Sequence, residues 1–366
     1  MKLKDLGLIA LSGVLLLSGC NNSDDKKKDK NDGKETVAIR EGDYTALLPF
    51  DVSDARLKHM TMVTNLNDTL EIANGLMKYS KQHFSPDTYT YRESQFLDYN
   101  TLDASADKNG LLGRKSEENP IGLNPENGTA FQTDKGTIKD PVILVDIFEI
   151  DWYKGEELSG LSLAMVVNSQ DVDEKNQKYT IKESDMKKYE SVYGQRLLQY
   201  MRDTYPQMKK LPIYVTVYDI AGDQEGIPGT FKREGYVKGD ATSIDFSDIN
   251  ANWVLFPTDE SDKKDATTNT AFVNYKKALA ELDLGDDTSI IGKGYFENDS
   301  LNELKISVVA HAKTGMEMNA IAQLLVENLD EFATSYRITV DVSCDNNHYA
   351  AIEREKNSSK VTTILF

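Results

Sequence analysis

Apolar residues along this chain recur at two spacings, and the order in which those spacings alternate is repeated. Leu161 to Val166 is an apolar, β-prone run of strand length, and Leu304 to Val309 is another. Each precedes a long amphipathic segment. From about Ser184 to Tyr205, residues Tyr189, Val192, Tyr193, Leu197, Tyr200 and Met201 share one helical face; from about Met316 to Ser335, Met318, Ile321, Ala322, Leu325, Leu329 and Phe332 do the same. An alternating strand follows each helix, with Ile213, Val215 and Val217 in one copy and Ile338, Val340 and Val342 in the other. A charged strand comes next, 231–238 and 350–355, and then a closing apolar run, 254–256 and 364–366. A leading strand at 142–150 belongs to the first copy, and 290–296 is its counterpart.

Five elements in one order indicate an internal duplication. Strands interrupted by a single helix predict an α+β fold of two related units, each a mostly antiparallel sheet packed with one long helix. The units are assigned to 141–257 and 288–366, joined by a linker, 258–287, that carries a short helix around 272–282. Ahead of them, 44–140 reads as a partly helical, loop-rich extension. There Leu70, Ala73, Leu76, Met77 and Phe84 predict a helix with Asn67 or Asp68 as its cap, and Asn-Gly pairs with Pro86, Pro120 and Pro125 predict turns.

The first 19 residues follow another pattern: basic Lys2 and Lys4, an apolar run from Leu6 to Leu17, then Ser18 and Gly19, the layout of a secretory signal. The run is about a dozen residues, and a helix needs roughly twenty to cross a bilayer, so a cleavable signal is expected. Leu17-Ser18-Gly19-Cys20 matches the lipobox of bacterial lipoproteins, in which the first three residues fit the lipoprotein signal peptidase and the cysteine takes a diacylglyceryl group. Residues 21–35 consist of Asn, Ser, Asp, Lys, Gly and Glu and could not pack around a thiol. Residues 20–43 therefore read as a polar tether behind a lipidated Cys20. Each buried CH₂ contributes about 0.8 kcal/mol, so two acyl tails would hold the protein to the outer face of the cell membrane.

The formal net charge is −18, and it becomes −19 once Lys2, Lys4 and Asp5 leave with the signal. Such a field opposes polyanions and anionic headgroups, which argues against nucleic acid as a partner and against insertion of the folded part into the membrane. With Cys20 committed to lipid, Cys344 has no cysteine to pair with, and its place at the end of the alternating segment from Ile338 predicts a buried structural thiol.

A search for chemistry finds little. His59, His83, His311 and His348 are not at metal-ligand spacing and read as surface or satisfied histidines. Gly160-Leu-Ser162-Leu-Ala164 lacks the final glycine of a nucleophile elbow and opens a strand. Asp171 to Lys182 starts like a calcium loop but has Asn176 where glycine is required, and reads as a solvated hairpin. Gly292 and Gly294 lack the third glycine of a dinucleotide site. Tyr89, Tyr91 and Tyr99 are expected to pack over the first sheet. No catalytic residue, metal site or cofactor is expected. Two readings follow: a non-enzymatic module that binds a ligand or protein partner in the groove between the copies, or an extracellular hydrolase built on a close carboxylate pair in a deep cleft.

The lipobox, the polar tether and the duplicated α+β unit resemble the CamS family, described as sex-pheromone biosynthesis lipoproteins of Gram-positive bacteria. The resemblance implies a second use for the signal: after release, membrane proteolysis trims its apolar end into a short hydrophobic peptide pheromone. In this sequence that segment is Gly13-Val14-Leu15-Leu16-Leu17-Ser18-Gly19.

Overall fold

The computed structural model describes residues 34–50, 53–59, 66–103, 109–172, 177–221, 226–282 and 287–366. The lipobox, the apolar signal segment and most of the tether lie outside the described residues. The chain opens with strands β1 (Lys34–Glu35) and β2 (Thr45–Leu48), helices α1 (Asp54–His59) and α2 (Leu66–Ser80), strand β3 (Thr90–Glu93) and a short α3 (Tyr99–Leu102). A small hairpin, β4 (Ala130–Thr133) and β5 (Gly136–Lys139), leads to the long hairpin β6 (Leu144–Lys154) and β7 (Glu157–Val167). After β8 (Gln170–Val172) and β9 (Lys178–Thr180) come α4 (Glu183–Thr204), β10 (Ile213–Asp219), β11 (Thr230–Val237) and β12 (Ser247–Asp248). The rest comprises β13 (Ala251–Phe256), α5 (Asp259–Lys264), α6 (Ala266–Ala280), β14 (Thr288–Glu297), β15 (Ser300–Ala310), α7 (Gly315–Glu327), β16 (Arg337–Cys344), β17 (Asn347–Arg354) and β18 (Val361–Leu365).

Two mixed sheets result, ordered β1-β2-β3-β6-β7-β10-β11-β12 and β13-β14-β15-β16-β17-β18. In each, an antiparallel hairpin leads through a helix into a parallel neighbour, β7 to β10 through α4 and β15 to β16 through α7, before the antiparallel return. Even the irregularities recur. The bulge between Trp152 and Tyr153 is matched between Tyr295 and Phe296, and that between Val217 and Tyr218 between Val342 and Ser343.

The pairing corrects two boundaries. The run at 254–256 does not close the first unit: β13 pairs with β14 at the edge of the second sheet, where Val254 and Phe256 enter the second core. The first-unit counterpart of β18 is the short β12, paired to β11. Nor is 258–287 a free linker, because Phe272, Tyr275 and Leu279 of α6 are buried in that core beside α7. The predicted helix at 70–84 begins four residues earlier, at Leu66, and ends at Ser80. Asp68 lies inside it, accepting from the Tyr218 hydroxyl at 2.8 Å and the Gly229 N–H at 2.9 Å instead of capping.

The helices follow from spacing and ends. Tyr189, Tyr193, Leu197 and Met201 stand four apart on the buried side of α4, with Glu183 and Asp185 in its first turn and Arg202 in its last, both signs suited to the helix dipole. Val192, expected on that face, is exposed. Helix α7 starts in a capping box between Thr314 and Glu317 and gives way to a 3₁₀ turn over Asn328–Glu331.

Sheet burial separates the two copies. Along β10, Ile213, Val215 and Val217 face the α4 side while Tyr214 and Tyr218 join Phe148, Ile150 and Trp152 in an aromatic layer beneath α2, so the whole strand is buried. In β14 only alternate positions are buried, Ile290, Gly292, Gly294 and Phe296, toward the helices. The other face of the second sheet presents Lys293, Lys305, Ser307, Thr339 and Asp341, none of them buried. One copy thus hides both faces of its sheet, and the other hides one.

Candidate functional site

Helix α2 lies where the two units meet. Ile72 and Leu76 bury against the aromatic layer of the first sheet. Contact is close because Gly75 has no side chain: a Cβ there would stand 2.2 Å from Phe231 Cε2. The polar stripe of the same helix reaches the second sheet. Tyr79 donates to Glu297 at 2.6 Å and lies 2.8 Å from the Tyr295 hydroxyl, while Lys78 donates to Glu297 at 2.8 Å. Lys305 donates to Glu71. The tyrosine bridges both partners, since its ring also meets Phe231 edge-on at 5.2 Å.

Beside this contact a groove of about 420 Å³ opens between the units, with α2 on one side, Tyr218 and Phe231 of the first sheet, and Trp253, Tyr295, Lys305, Arg337 and Thr339 of the second. Four cations line it, Arg40, Lys78, Lys305 and Arg337, and each is matched. Arg337 lies 2.7 Å from Glu303 and also pairs with Glu353; Arg40 is 2.9 Å from Glu353; Lys305 is 3.8 Å from Glu303. The ammonium of Lys305 stands 4.9 Å from the Trp253 ring centre and that of Lys78 4.9 Å from Tyr295.

Burial, chiefly, pushes the Tyr79 and Tyr295 hydroxyls well above the usual tyrosine range, and the neighbouring Glu297 carboxylate adds to it. Both remain neutral phenols, able to donate and accept hydrogen bonds. The groove therefore offers aromatic faces, neutral hydroxyls and ion pairs whose partners a ligand could exchange, chemistry suited to recognising a polar ligand.

The sequence-predicted residues scatter. Ser162 is buried within β7, where Trp152 Nε1 donates to it at 2.7 Å and Ser80 at 2.8 Å. Gly160 admits the Phe84 ring, and Gly292 and Gly294 admit Phe272 and Phe256, so these glycines serve packing. The segment from Asp171 forms the hairpin β8–β9, with 173–176 outside the described residues. Tyr91 and Tyr89 pack over the first sheet, but Tyr99 lies apart on the other core, edge-on to His59 at 5.5 Å. His59 is buried and shares Asp146 with Arg56, at 2.9 Å and 2.7 Å. His83 stacks on Tyr236, while His311 and His348 are exposed beside Asp345 and Asp341. Cys344 is half-buried, less enclosed than expected.

A close carboxylate pair does exist, in Glu149 and Asp151, but it is sealed, with exposures of 1% and 0%. Glu149 accepts the N–H groups of Phe96 and Leu97 at 2.9 and 2.7 Å, and Asp151 that of Gln95 at 3.0 Å. Burial, first, and the adjoining Glu149 charge push Asp151 well above the usual carboxylate range; burial raises Glu149 also, against the hydrogen bonds it accepts. The pair ties down the chain leaving β3 through the N–H groups of residues 95–97.

Sequence reasoning missed α2 as the wedge between units. Its polar stripe of Glu71, Asn74 and Lys78 resembles any solvated face, and only Gly75 in mid-helix hinted at a close approach.

Comparison with known proteins adds to this geometry. A family model described as CamS sex pheromone cAM373 precursor matches residues 50–360. The crystal structure of a sex pheromone precursor from Lactobacillus salivarius subsp. salivarius UCC118 superposes with a TM-score of 0.78 at 21% identity, covering 91% of this chain and 99% of that one. The C-terminal domain of the sex pheromone staph-cAM373 precursor from Staphylococcus aureus gives 0.68 at 22% identity, covering 82% and 96%. At these identities the likeness is one of fold. No curated protein matches the sequence.

Proposed function

The chain belongs to the CamS sex pheromone cAM373 precursor family, and from that premise we propose that it is a lipoprotein held by Cys20 on the outer face of the cell membrane, whose folded part binds a ligand in the groove between its two units. The signal segment Gly13 to Gly19 is the precursor of a hydrophobic peptide pheromone. Its short, uncharged, aliphatic composition suits passage through membranes and an apolar receptor pocket. The lipoprotein signal peptidase and a membrane protease are the processing partners.

Anchoring is supported by the Leu17-Ser18-Gly19-Cys20 run followed by a polar tether. No helix among the described residues is long and apolar enough to cross a membrane. The observation that carries the binding role is the groove at α2, where aromatic rings and exchangeable ion pairs from both copies converge. A non-enzymatic role is favoured over a hydrolase because the Glu149–Asp151 pair is enclosed and already occupied with backbone N–H groups.

Metabolic labelling with a fatty acid tests the anchor. Wild-type protein takes up label and Cys20→Ala does not; label on Cys20→Ala would refute it. The groove is tested in Trp152→Phe, which leaves Trp253 as the single tryptophan. A polar ligand that binds there should shift Trp253 emission, and Lys305→Ala should change the titration; a response unaffected by Lys305→Ala would place binding elsewhere.

A further inference from the structure

A second cavity, of about 580 Å³, lies at the carboxyl ends of the parallel strands β7 and β10 where α4 begins. Three cations line it, Lys187, Lys232 and Arg233, against four carboxylates, Glu183, Glu190, Asp219 and Asp248. Lys187 of α4 is engaged by Glu183 at 2.7 Å and by Asp248 of β12 at 2.6 Å. Arg233 of β11 lies 3.3 Å from Asp248, and the charge of Lys232 bears on Asp219 of β10. Asp219 also accepts the N–H groups of Ser169 and Ala221, at 3.1 and 3.0 Å.

Glu190 is paired with Arg233, at a longer distance than separates Lys187 from Glu183 or Asp248. It is 4% exposed, and its contact with Arg233 is long, 3.4 Å, because the same guanidinium nitrogen donates to the Lys187 carbonyl and the Ser191 hydroxyl, each at 3.1 Å. Four carboxylates against three cations leave the cavity one negative charge in excess, and Glu190 is the least exposed of the four. Burial pushes Glu190 up to about 7, against the opposing influence of Arg233, so that near neutrality it is divided between acid and carboxylate. Ile181, Met186 and Ile249 add apolar surface to the same walls.

We propose that this cavity binds an aliphatic amine, its ammonium paired with the Glu190 carboxylate and its hydrocarbon stem along Ile181, Met186 and Ile249. One positive charge completes the balance of three cations against four carboxylates, and the depth of Glu190 suits a slender stem better than a bulky head. The ammonium enters charged; molecules in which Glu190 holds its proton release it to solvent as the carboxylate forms. Binding is thus coupled to proton release at neutral pH and loses that coupling well above it, where Glu190 is already ionised.

The test is calorimetry at pH 7 in phosphate and in HEPES, buffers of different ionisation enthalpy, with n-butylamine for a free amine and Nα-acetyl-lysine methylamide for a lysine side chain. Saturable binding with a buffer-dependent enthalpy is expected, with Glu190→Gln at least tenfold weaker and buffer-independent, and the distant Asp87→Asn unchanged. The tighter of the two probes identifies the kind of source. Failure of both to saturate, equal binding by Glu190→Gln, or one enthalpy in both buffers would overturn the proposal. Should Glu190→Gln not fold, Ile249→Trp, which enlarges another lining side chain, must weaken binding by a similar factor; unchanged binding in that variant would equally overturn it.

Discussion

The hydroxyl of Tyr79 on α2 stands 2.8 Å from that of Tyr295 on β14, and this meeting of two phenols marks where the copies join. Tyr79 donates onward to Glu297, so Tyr295 donates to Tyr79, and the chain ends on a carboxylate. A hydrogen bond to a charged group contributes about 1.5–3 kcal/mol and one between neutral groups about 0.5–1.5 kcal/mol. Tyr79→Phe should therefore destabilise the protein more than Tyr295→Phe, which leaves the link to Glu297 in place. Urea unfolding of the two variants checks the order, and the reverse ranking would refute this division.

Gly75→Ala should lower stability although alanine is the better helix former by about 1 kcal/mol. The added Cβ would stand 2.2 Å from Phe231, so α2 or the ring must shift, and overpacking of this kind costs about 1–3 kcal/mol. Thermal unfolding reads the sign directly, and a raised midpoint would show that the approach of α2 is looser than described.

The Glu149–Asp151 pair gives a pH signature. Both acids are raised in the folded protein, which therefore binds more protons than the unfolded chain. Their contribution is fully present below the ordinary carboxylate range and is lost as pH rises through the folded values. Asp151→Asn keeps an acceptor for the Gln95 N–H and removes one of the two raised acids. Urea unfolding from pH 5 to 9 should show wild-type stability falling relative to the variant; parallel curves would contradict the raised pair.

Arg354 is almost wholly buried and closes the chain after α7, donating to the Leu329 carbonyl at 3.0 Å and to that of Ala333. Arg202 does similar work in the first unit, toward Met208 and Leu211. Each buried carbonyl left unpaired costs about 1–3 kcal/mol, and a lysine cannot reproduce the two-armed geometry. Arg354→Lys should accordingly recover little of the stability lost in Arg354→Ala. Recovery of most of it would mean that charge, and not the planar fork, holds the turn.

The repeated order of strand, helix and strand was legible because period two and period 3.6 survive divergence: Ile213, Val215 and Val217 match Ile338, Val340 and Val342 in pattern and in place. Spacing alone cannot say which sheet edge an apolar run will join. Val254 and Phe256 follow the first copy in sequence, yet they pack with Phe272 and Phe296 of the second. Nor could pattern alone identify what α2 covers. Where the first sheet has Trp152, Ser162 and Tyr214, the second has Tyr295, Lys305 and Thr339 at the matching register positions, so the first copy binds a helix through apolar area and the second meets that helix with polar groups. The groove arises from this difference, which appears only when the copies are placed side by side. The reading of Leu17 to Cys20 as a lipobox rests on four adjacent residues and calls on no part of the fold.

Intact mass spectrometry of protein extracted from the membrane fraction addresses the anchor most directly. The account predicts a chain that starts at Cys20 and carries a diacylglyceryl group on its sulfur. A chain that starts elsewhere, or one whose first cysteine is unmodified, would contradict it.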